Sequence, residues 1–565
     1  MRFLPLIAGL LWAIAAGAGS GANAADCEPP ADGDKRLLWG DLHVHTAWSL
    51  DAYAFGALAT PEEAYRFARG QPLTLASGET AQIDRPLDFT AVTDHAETFD
   101  LMYACTDPLQ SADPNCAGLR DRRAALDSRA IFVDYLLPIV SLTPPSMPTL
   151  CASIDCAALR TSQWQRIQAA ANSADTPCAF TALIGYEWTA SPGGRHWHRN
   201  VIYRSANVPA ETFDYVRYPE VTQLWEQLRQ HCLPGDGCDV LTIPHNINWA
   251  DGGTFDIGTE AASVSALRSR FERLAEIHQE KGSSECLPET RNADRADCGF
   301  ELVTENAAKT RMSGPDADPD DAWRLAATSY YRALLGAGLL HPDNPLRLGA
   351  IGSTDTHFGT PGMVAEEDYF GGIALLLAPK EARLGRTDFN PGGLVAVWAT
   401  ENTRAGVFDA LKRREAYATS GPRIRLRFGV GDLCSKPGEA LSVPMGGVMT
   451  DPDPTFSIMA ARDRTPLARI EVVKGALGSR GLEETVIEIA SYSAGRDSVC
   501  ARWTDPAFDS EAPAYWYVRV LEEPSPRWSK LLCEKLGKCA DFPDADRMIQ
   551  ERAWSSPIWY QPGHP

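Results

Sequence analysis

Short apolar runs recur along the chain, and one after another they stop in a cluster of histidine or acid. Leu37-Leu38-Trp39 leads into Gly40-Asp41-Leu42-His43-Val44-His45, with Asp51 on the loop beyond. Residues 87–93 end in Asp94-His95-Ala96-Glu97. Residues 180–186 deliver Glu187-Trp188-Thr189; a turn with Gly193 and Gly194 follows, then His196-Trp197-His198-Arg199-Asn200 before Val201-Ile202-Tyr203. Residues 240–244 deliver His245-Asn246, and residues 347–354 deliver Asp355-Thr356-His357. Apolar runs of this length, bounded by turn signals, read as strands. Between the first two, Thr60-Pro61-Glu62-Glu63 supplies an N-cap, proline at N1 and glutamate at N3, which opens a helix to about Gly70. Strand, functional loop and helix make a βα unit. Polar clusters at the C-terminal ends of strands are where barrel-type α/β folds keep their chemistry.

Two long segments interrupt this rhythm. Residues 100–176 carry four cysteines and helical patches such as 162–171, which reads as an insertion beside the site. Residues 250–342 form a second insertion, with helices expected at 261–280 and 321–338 and a candidate strand at 300–304. A further strand is expected at 371–377, and an amphipathic helix around 403–412. Past about Gly429 come short alternating β runs, such as 470–473 and 515–520, separated by Asp-Pro and Gly turns. The expected organisation is an α/β barrel unit over 25–428, carrying the insertions at about 100–176 and 250–342, and a smaller β-rich part over 429–565.

Composition adds a location and excludes a partner. Met1-Arg2, an apolar run over residues 3–16 and small residues ending Ala22-Asn23-Ala24 form a secretory signal, 1–24, cut after Ala24. The run is too short for a membrane span, so the mature protein is expected to be periplasmic or secreted. All 14 cysteines follow Ala24. Neighbours in sequence are candidate disulfides: Cys105 with Cys116, Cys151 with Cys156, Cys232 with Cys238, Cys286 with Cys298, Cys533 with Cys539. A net charge of −21 lacks the electrostatic footprint of a nucleic-acid binder. The expected partner is a small-molecule substrate, anionic on the strength of the candidate arginines Arg199 and Arg423. Oligomeric state is not read from the chain.

The strand ends carry the candidate chemistry. Side chains alternate along a strand, so His43 and His45 share a face. Collected, the donors are His43, His45, Asp51, His95, Glu187, His198, His245, Asp355 and His357, which take six of the chain's 11 histidines. His196 shares the parity of His198 and is the weaker candidate. Mixed imidazole and carboxylate suits Zn²⁺, Mn²⁺ or Fe and not Ca²⁺. The set exceeds what one four-coordinate ion needs, so two or three ions are expected. Clustered ions acidify a bound water and clamp the attacking and leaving oxygens of a displacement. The expected activity is hydrolysis by a metal-bridging hydroxide, with Glu187, Asp355, His245 and Arg199 as catalytic residues. Arg199 and Arg423 are candidate contacts for a substrate anion, with a salt bridge to a neighbouring acid as the other reading. Asp94 is a candidate to order His95 or a water as an outer carboxylate, or to cap a turn. His231, His278, His341 and His564 read as ordinary histidines.

Several strings carry a family resemblance: Gly40-Asp41-Leu42-His43-Val44-His45-Thr46, Thr93-Asp94-His95, Gly185-Tyr186-Glu187-Trp188-Thr189, His198-Arg199-Asn200-Val201-Ile202, Pro244-His245-Asn246 and Gly352-Ser353-Thr354-Asp355-Thr356-His357. Tyr417-Ala418-Thr419-Ser420-Gly421-Pro422-Arg423 and Ala553-Trp554-Ser555-Ser556-Pro557-Ile558-Trp559-Tyr560 join them. Together the chain resembles the polymerase and histidinol phosphatase (PHP) superfamily of metal-dependent phosphoesterases, and within it the DUF3604 branch of exported bacterial proteins. That resemblance implies a distorted (β/α)7 barrel with helical insertions and a trinuclear site. By its pattern His43, His45, Glu187 and Asp355 hold one metal. Glu187, His198 and His245 hold the second, with Glu187 bridging. Asp51, His95 and His357 hold the third. Asp51 departs from the pattern, since many members have histidine there; an oxygen ligand weakens that site or favours Mn²⁺ or Fe over Zn²⁺. The leading expectation is an exported phosphoesterase. Its alternatives are a metal-dependent hydrolase of a carboxylic ester, lactone or amide, and a non-catalytic periplasmic metal- or ligand-binding protein.

Overall fold

A computed structural model of the chain describes Cys27 and residues 35–563, apart from 108–115, 144, 146–154, 289–296, 303–322, 324–325, 374–375, 436–439, 451, 453 and 480. The leader 1–24 and His564 lie outside the described residues. The fold is mixed α/β. Its first strands are β1 (Arg36–Asp41), β2 (Phe89–Ala91), β3 (Thr181–Trp188), β4 (Arg199–Tyr203), β5 (Val240–Pro244), β6 (Leu274–Gln279), β7 (Gly349–Gly352), β8 (Leu394–Ala399) and β9 (Ala416–Thr419). The β-rich remainder adds β10 (Arg425–Val430), β11 (Thr455–Ala461), β12 (Leu467–Gly478), β13 (Gly481–Arg496), β14 (Ser498–Thr504), β15 (Ala514–Glu522), β16 (Arg552–Ser555) and β17 (Ile558–Tyr560).

One large sheet runs β17-β15-β16-β9-β8-β1-β2-β3-β4-β5, with β12 and β13 added beyond β15. β1, β2 and β3 are parallel, while β3, β4 and β5 alternate in direction. β8 returns antiparallel to β1, with Trp39 opposite Ala396, and β9 antiparallel to β8. β6 and β7 pair in parallel in a separate small sheet. The expected distorted (β/α)7 barrel is not confirmed, and no closed barrel is found among the described residues. Its ladder ends at β5, because β4 comes back as a hairpin partner and not through a helical crossover. Past residue 429, β12, β13, β15, β16 and β17 continue the same sheet through β9 and β16, where Ala418 lies opposite Trp554, while β10, β11 and β14 pair in a separate sheet.

Both faces of the central strands are covered, which is why they read as unbroken apolar runs. Leu38 packs with Phe89, Leu183 and Val397 on one side of the sheet; Trp39 meets the Tyr417 ring at 5.8 Å on the other. The approach of β1 to β2 needs Gly40, since a Cβ there would sit 2.2 Å from the Phe89 ring.

The helix after β1, α1 (Pro61–Ala68), starts with the expected capping box: Thr60 and Glu63 satisfy each other's backbone N–H. The patch at 162–171 lies within α2 (Cys156–Ala174). The helix expected over 261–280 is cut short. It ends as α3 (Ala262–Phe271), and β6 takes the remainder, with Leu274 opposite Gly349. All of β6 is buried, Glu276 and His278 included, so its polar residues do not mark a solvent face as they would on a half-buried strand. Phe300 and Glu301 lie in a turn, and Val303 and Thr304 fall outside the described residues. The second helix of that insertion is α4 (Tyr331–Leu340). Residues 371–377 hold bends and turns where described; the strand is instead β8, further along the chain. α5 (Arg404–Arg413) follows with Thr403 as its cap, as expected.

Four of the expected disulfides join neighbours: Cys105–Cys116, Cys232–Cys238, Cys286–Cys298 and Cys533–Cys539. Cys156 is disulfide-bonded, and Cys151, its expected partner, lies outside the described residues. Two more bonds join distant cysteines, Cys27–Cys178 across 151 residues and Cys434–Cys500 across 66. Sequence proximity gives no hint of these. No helix among the described residues is long and apolar enough to cross a membrane. Replacing Cys27 and Cys178 by serine should destabilise the fold by about 2–5 kcal/mol, because a very long loop loses its closure. A lower guanidinium midpoint would show this; an unchanged midpoint would mean the bond carries no stability.

Candidate metal centre

Beyond β1 the chain stays extended, and His45 N–H donates to Thr356 O at 2.8 Å, tying it to the turn after β7. His43 and His45 are both buried. His43 Nδ1 meets Glu276 Oε1 at 3.0 Å, and His45 Nδ1 meets Ser49 Oγ at 3.0 Å, whose hydroxyl donates to Asp94 Oδ1 at 2.9 Å. With both Nδ1 atoms occupied, both Nε2 atoms turn inward, 3.1 Å apart. Glu187 Oε2 lies 3.3 Å from each, and Asp355 Oδ1 lies 3.2 and 3.3 Å from them. Four ligand atoms around an ion at about 2.0–2.1 Å in a tetrahedron are separated by about 3.3–3.4 Å. The donors of β1, β3 and the β7 turn stand at that spacing.

The other oxygen of Glu187 faces a second group. Its Oε1 is 2.9 Å from His198 Nδ1, 3.3 Å from His245 Nε2 and 3.5 Å from His95 Nδ1. Both ring nitrogens of His245 are buried without a hydrogen bond. A third group gathers on Asp51 Oδ2, 2.9 Å from His95 Nε2 and 3.2 Å from His357 Nε2. His45 donor atoms close this group with His95 and His357. All nine sequence candidates thus converge, from β1, β2, β3, β4, β5 and β7. His196 stacks on His198 at 4.5 Å, and its Nδ1 faces Asn246 instead of Glu187. Asp94 accepts from Thr46 N–H and Oγ1 as well as Ser49, so it caps a turn and orders His45, not the His95 ring.

Charge is partitioned within the cluster. Burial pushes the Asp51, Glu187 and Asp355 carboxyls up, but the imidazoles beside them outweigh it and hold all three well below the carboxylate range. Burial pushes imidazoles down, yet Asp355 and Glu276 hold His43 well above its usual value, and Asp51 and Glu187 do the same for His95. Asp51 brings His357 up to about 9 against its burial. Burial prevails at His198, which falls to about 4, and at His245, which is also lowered.

Residues 276–281 contribute three groups that the sequence reading missed, because that stretch was assigned to a helix. Glu276 orients His43. Glu280 Oε1 sits 3.1 Å from His357 Nδ1. Lys281 Nζ donates to Asp355 Oδ2 and is buried. The alternation of Glu276, His278 and Glu280 was the available signal. Asp41 is a fourth: it accepts from Thr354 Oγ1 at 2.6 Å and Gly362 N–H at 2.9 Å, which fixes the turn carrying Asp355. Asp355 and Asn246 both hold left-handed backbone, at φ 55° and 52°, a cost that concentrates at functional sites. Glu276→Gln should weaken divalent-ion affinity about 10–100-fold by loosening His43. Competition with a fluorescent chelator measures it; wild-type affinity would show that Glu276 does not position the ligand.

Two expected substrate contacts are corrected. Arg199 points away from His198 on β4, and its guanidinium is buried against Glu272, Nε to Oε1 2.9 Å. Arg423 donates to the backbone oxygens of Arg85 and Pro86. Neither lines the cavity of about 430 Å³ that opens over the donors. Its arginines are Arg129 and Arg386.

The chain belongs to the DUF3604 family, described as a protein of unknown function, whose profile matches residues 32–496 and 487–562. No curated protein matches the chain.

Proposed function

We propose that this DUF3604 chain is an exported, metal-dependent hydrolase of phosphoesters, a distorted barrel of the PHP kind holding two or three ions of zinc, manganese or iron. The observation that carries the reading is the inward packing of His43 Nε2, His45 Nε2, Glu187 Oε2 and Asp355 Oδ1 at 3.1–3.3 Å. Lone pairs and carboxylates crowd so closely, in a buried site, where a cation compensates them. The donors fit the implied ions, and bound ions would supply an acidified water and neutralise the oxygens of the scissile group. The chain's own residues do the rest. Glu187 spans two donor groups and sets their spacing. Glu276 and the Ser49–Asp94 pair hold the rings of His43 and His45 in one orientation. Lys281, kept protonated by Asp355 and Glu280 against its burial, holds Asp355 ionised and places a fixed positive charge in the cavity. The disulfides are compatible with an extracellular location.

The test is hydrolysis by the mature protein reloaded with Mn²⁺, Zn²⁺ or Fe²⁺. A chromogenic phosphomonoester and the matching diester are run side by side, with chelator-stripped protein as control. Metal-dependent turnover with release of the chromogenic alcohol is expected. Silence on both, with ions bound, would overturn the phosphoester reading.

A further inference from the structure

The walls of the cavity have a chemistry of their own. Residues 128–141 turn one helical face to it through a continuous run of Ser128–Ile131, Phe132–Leu136 and Leu137–Val140, the middle segment being π-helical. Arg129, Phe132, Leu136 and Val140 recur on that face at helical spacing. Phe55, Ile373 and Phe389 add further apolar lining. The floor is acid and imidazole, with Lys281 its ammonium. Arg129 and Arg386 are exposed, line the cavity, and pair with no carboxylate among the described residues. The Arg386 guanidinium lies 4.9 Å from the Phe389 ring centroid, at the junction of apolar wall and solvent.

On the phosphoester reading, the floor takes the scissile group, so the arginines and the apolar walls are left to recognise something else. We infer that the site takes organic phosphoesters with an apolar aryl or alkyl body that carries a second anionic group, and discriminates against phosphates of small polar alcohols. A cavity of about 430 Å³ is the size of a small-molecule pocket and holds such a body. Phe132 and Leu136 cover the body, and Arg129 and Arg386 meet the second anion. This departs from phosphate recognition by Arg199 and Arg423, which lie elsewhere.

Calorimetric titration of the mature, metal-loaded protein with three non-hydrolysable probes tests this: methylphosphonate, benzylphosphonate and (4-carboxybenzyl)phosphonate. Benzyl should bind about thirtyfold tighter than methyl through buried apolar area. The carboxylate should add about three- to tenfold more through exposed charge pairs. R129Q/R386Q should erase the carboxylate's gain, and F132S should cut the benzyl gain. Methyl binding as tightly as benzyl, or a carboxylate gain absent or surviving in R129Q/R386Q, would overturn the inference while leaving the phosphoester reading intact. No binding of any of the three would overturn the phosphoester reading, and this inference with it.

Discussion

Glu187→Ala is expected to lower turnover by about 10³-fold or more, equivalent to about 4 kcal/mol of transition-state stabilisation. Among the described residues no other side chain faces two donor groups with separate oxygens: Oε2 meets His43 and His45, while Oε1 meets His198 and His245. Its loss removes a ligand from both groups and releases their spacing. Glu187→Gln keeps the shape but not the charge, and should fall nearly as far. The fold should survive, because β3 is held by its ladders to β2 and β4 and by the apolar packing of Leu183, Ile184 and Tyr186. Rates measured under saturating metal, with circular dichroism as the control, decide it. Wild-type turnover in either variant would remove Glu187 from the centre of the site.

The second large effect is on protons. In the ion-free protein, carboxylates hold His43 and His95 well above the ordinary imidazole value and His357 at about 9. At pH 7 these three rings therefore carry protons. A histidine raised in this way stabilises the fold fully below its unfolded pKa of about 6.5, and that contribution fades as pH rises through the folded value. An ion requires the same nitrogens bare, so its binding has the opposite sign: affinity climbs as pH rises from neutral through the titration of His357 at about 9. Loading at pH 7 should expel about two to three protons per chain. Calorimetry in two buffers of different ionisation heat counts them. Uptake without proton release would mean that the ion binds elsewhere.

Much of the centre was legible because its donors sit where apolar runs stop. A run followed by His-x-His, or by Asp-Thr-His, marks a strand end by its own pattern, and the nine residues named on that basis meet in space. What failed had a physical reason. β6 is buried on both faces and carries charged residues inside, so it imitated the end of α3 and hid Glu276, Glu280 and Lys281. Arg199 and Arg423 were chosen for the fit of guanidinium to phosphate oxygens, yet Arg199 follows His198 on a strand, where adjacent residues face opposite ways, and it was turned to Glu272. Arg129 and Arg386 come from segments without any motif and reach the cavity only through tertiary packing. The distorted barrel is not confirmed as a closed sheet, because β3 and β4 form a hairpin, a reversal that strand patterns do not encode. Cys27 and Cys178 are likewise joined by the fold and not by spacing.

The most direct measurement is the ion content of the mature protein, by inductively coupled plasma mass spectrometry after reconstitution and desalting, beside Glu187→Ala. The account predicts two to three ions of zinc, manganese or iron per wild-type chain and a clear loss in the variant. A wild-type chain that emerges without stoichiometric metal, or a variant that retains it in full, would contradict the account.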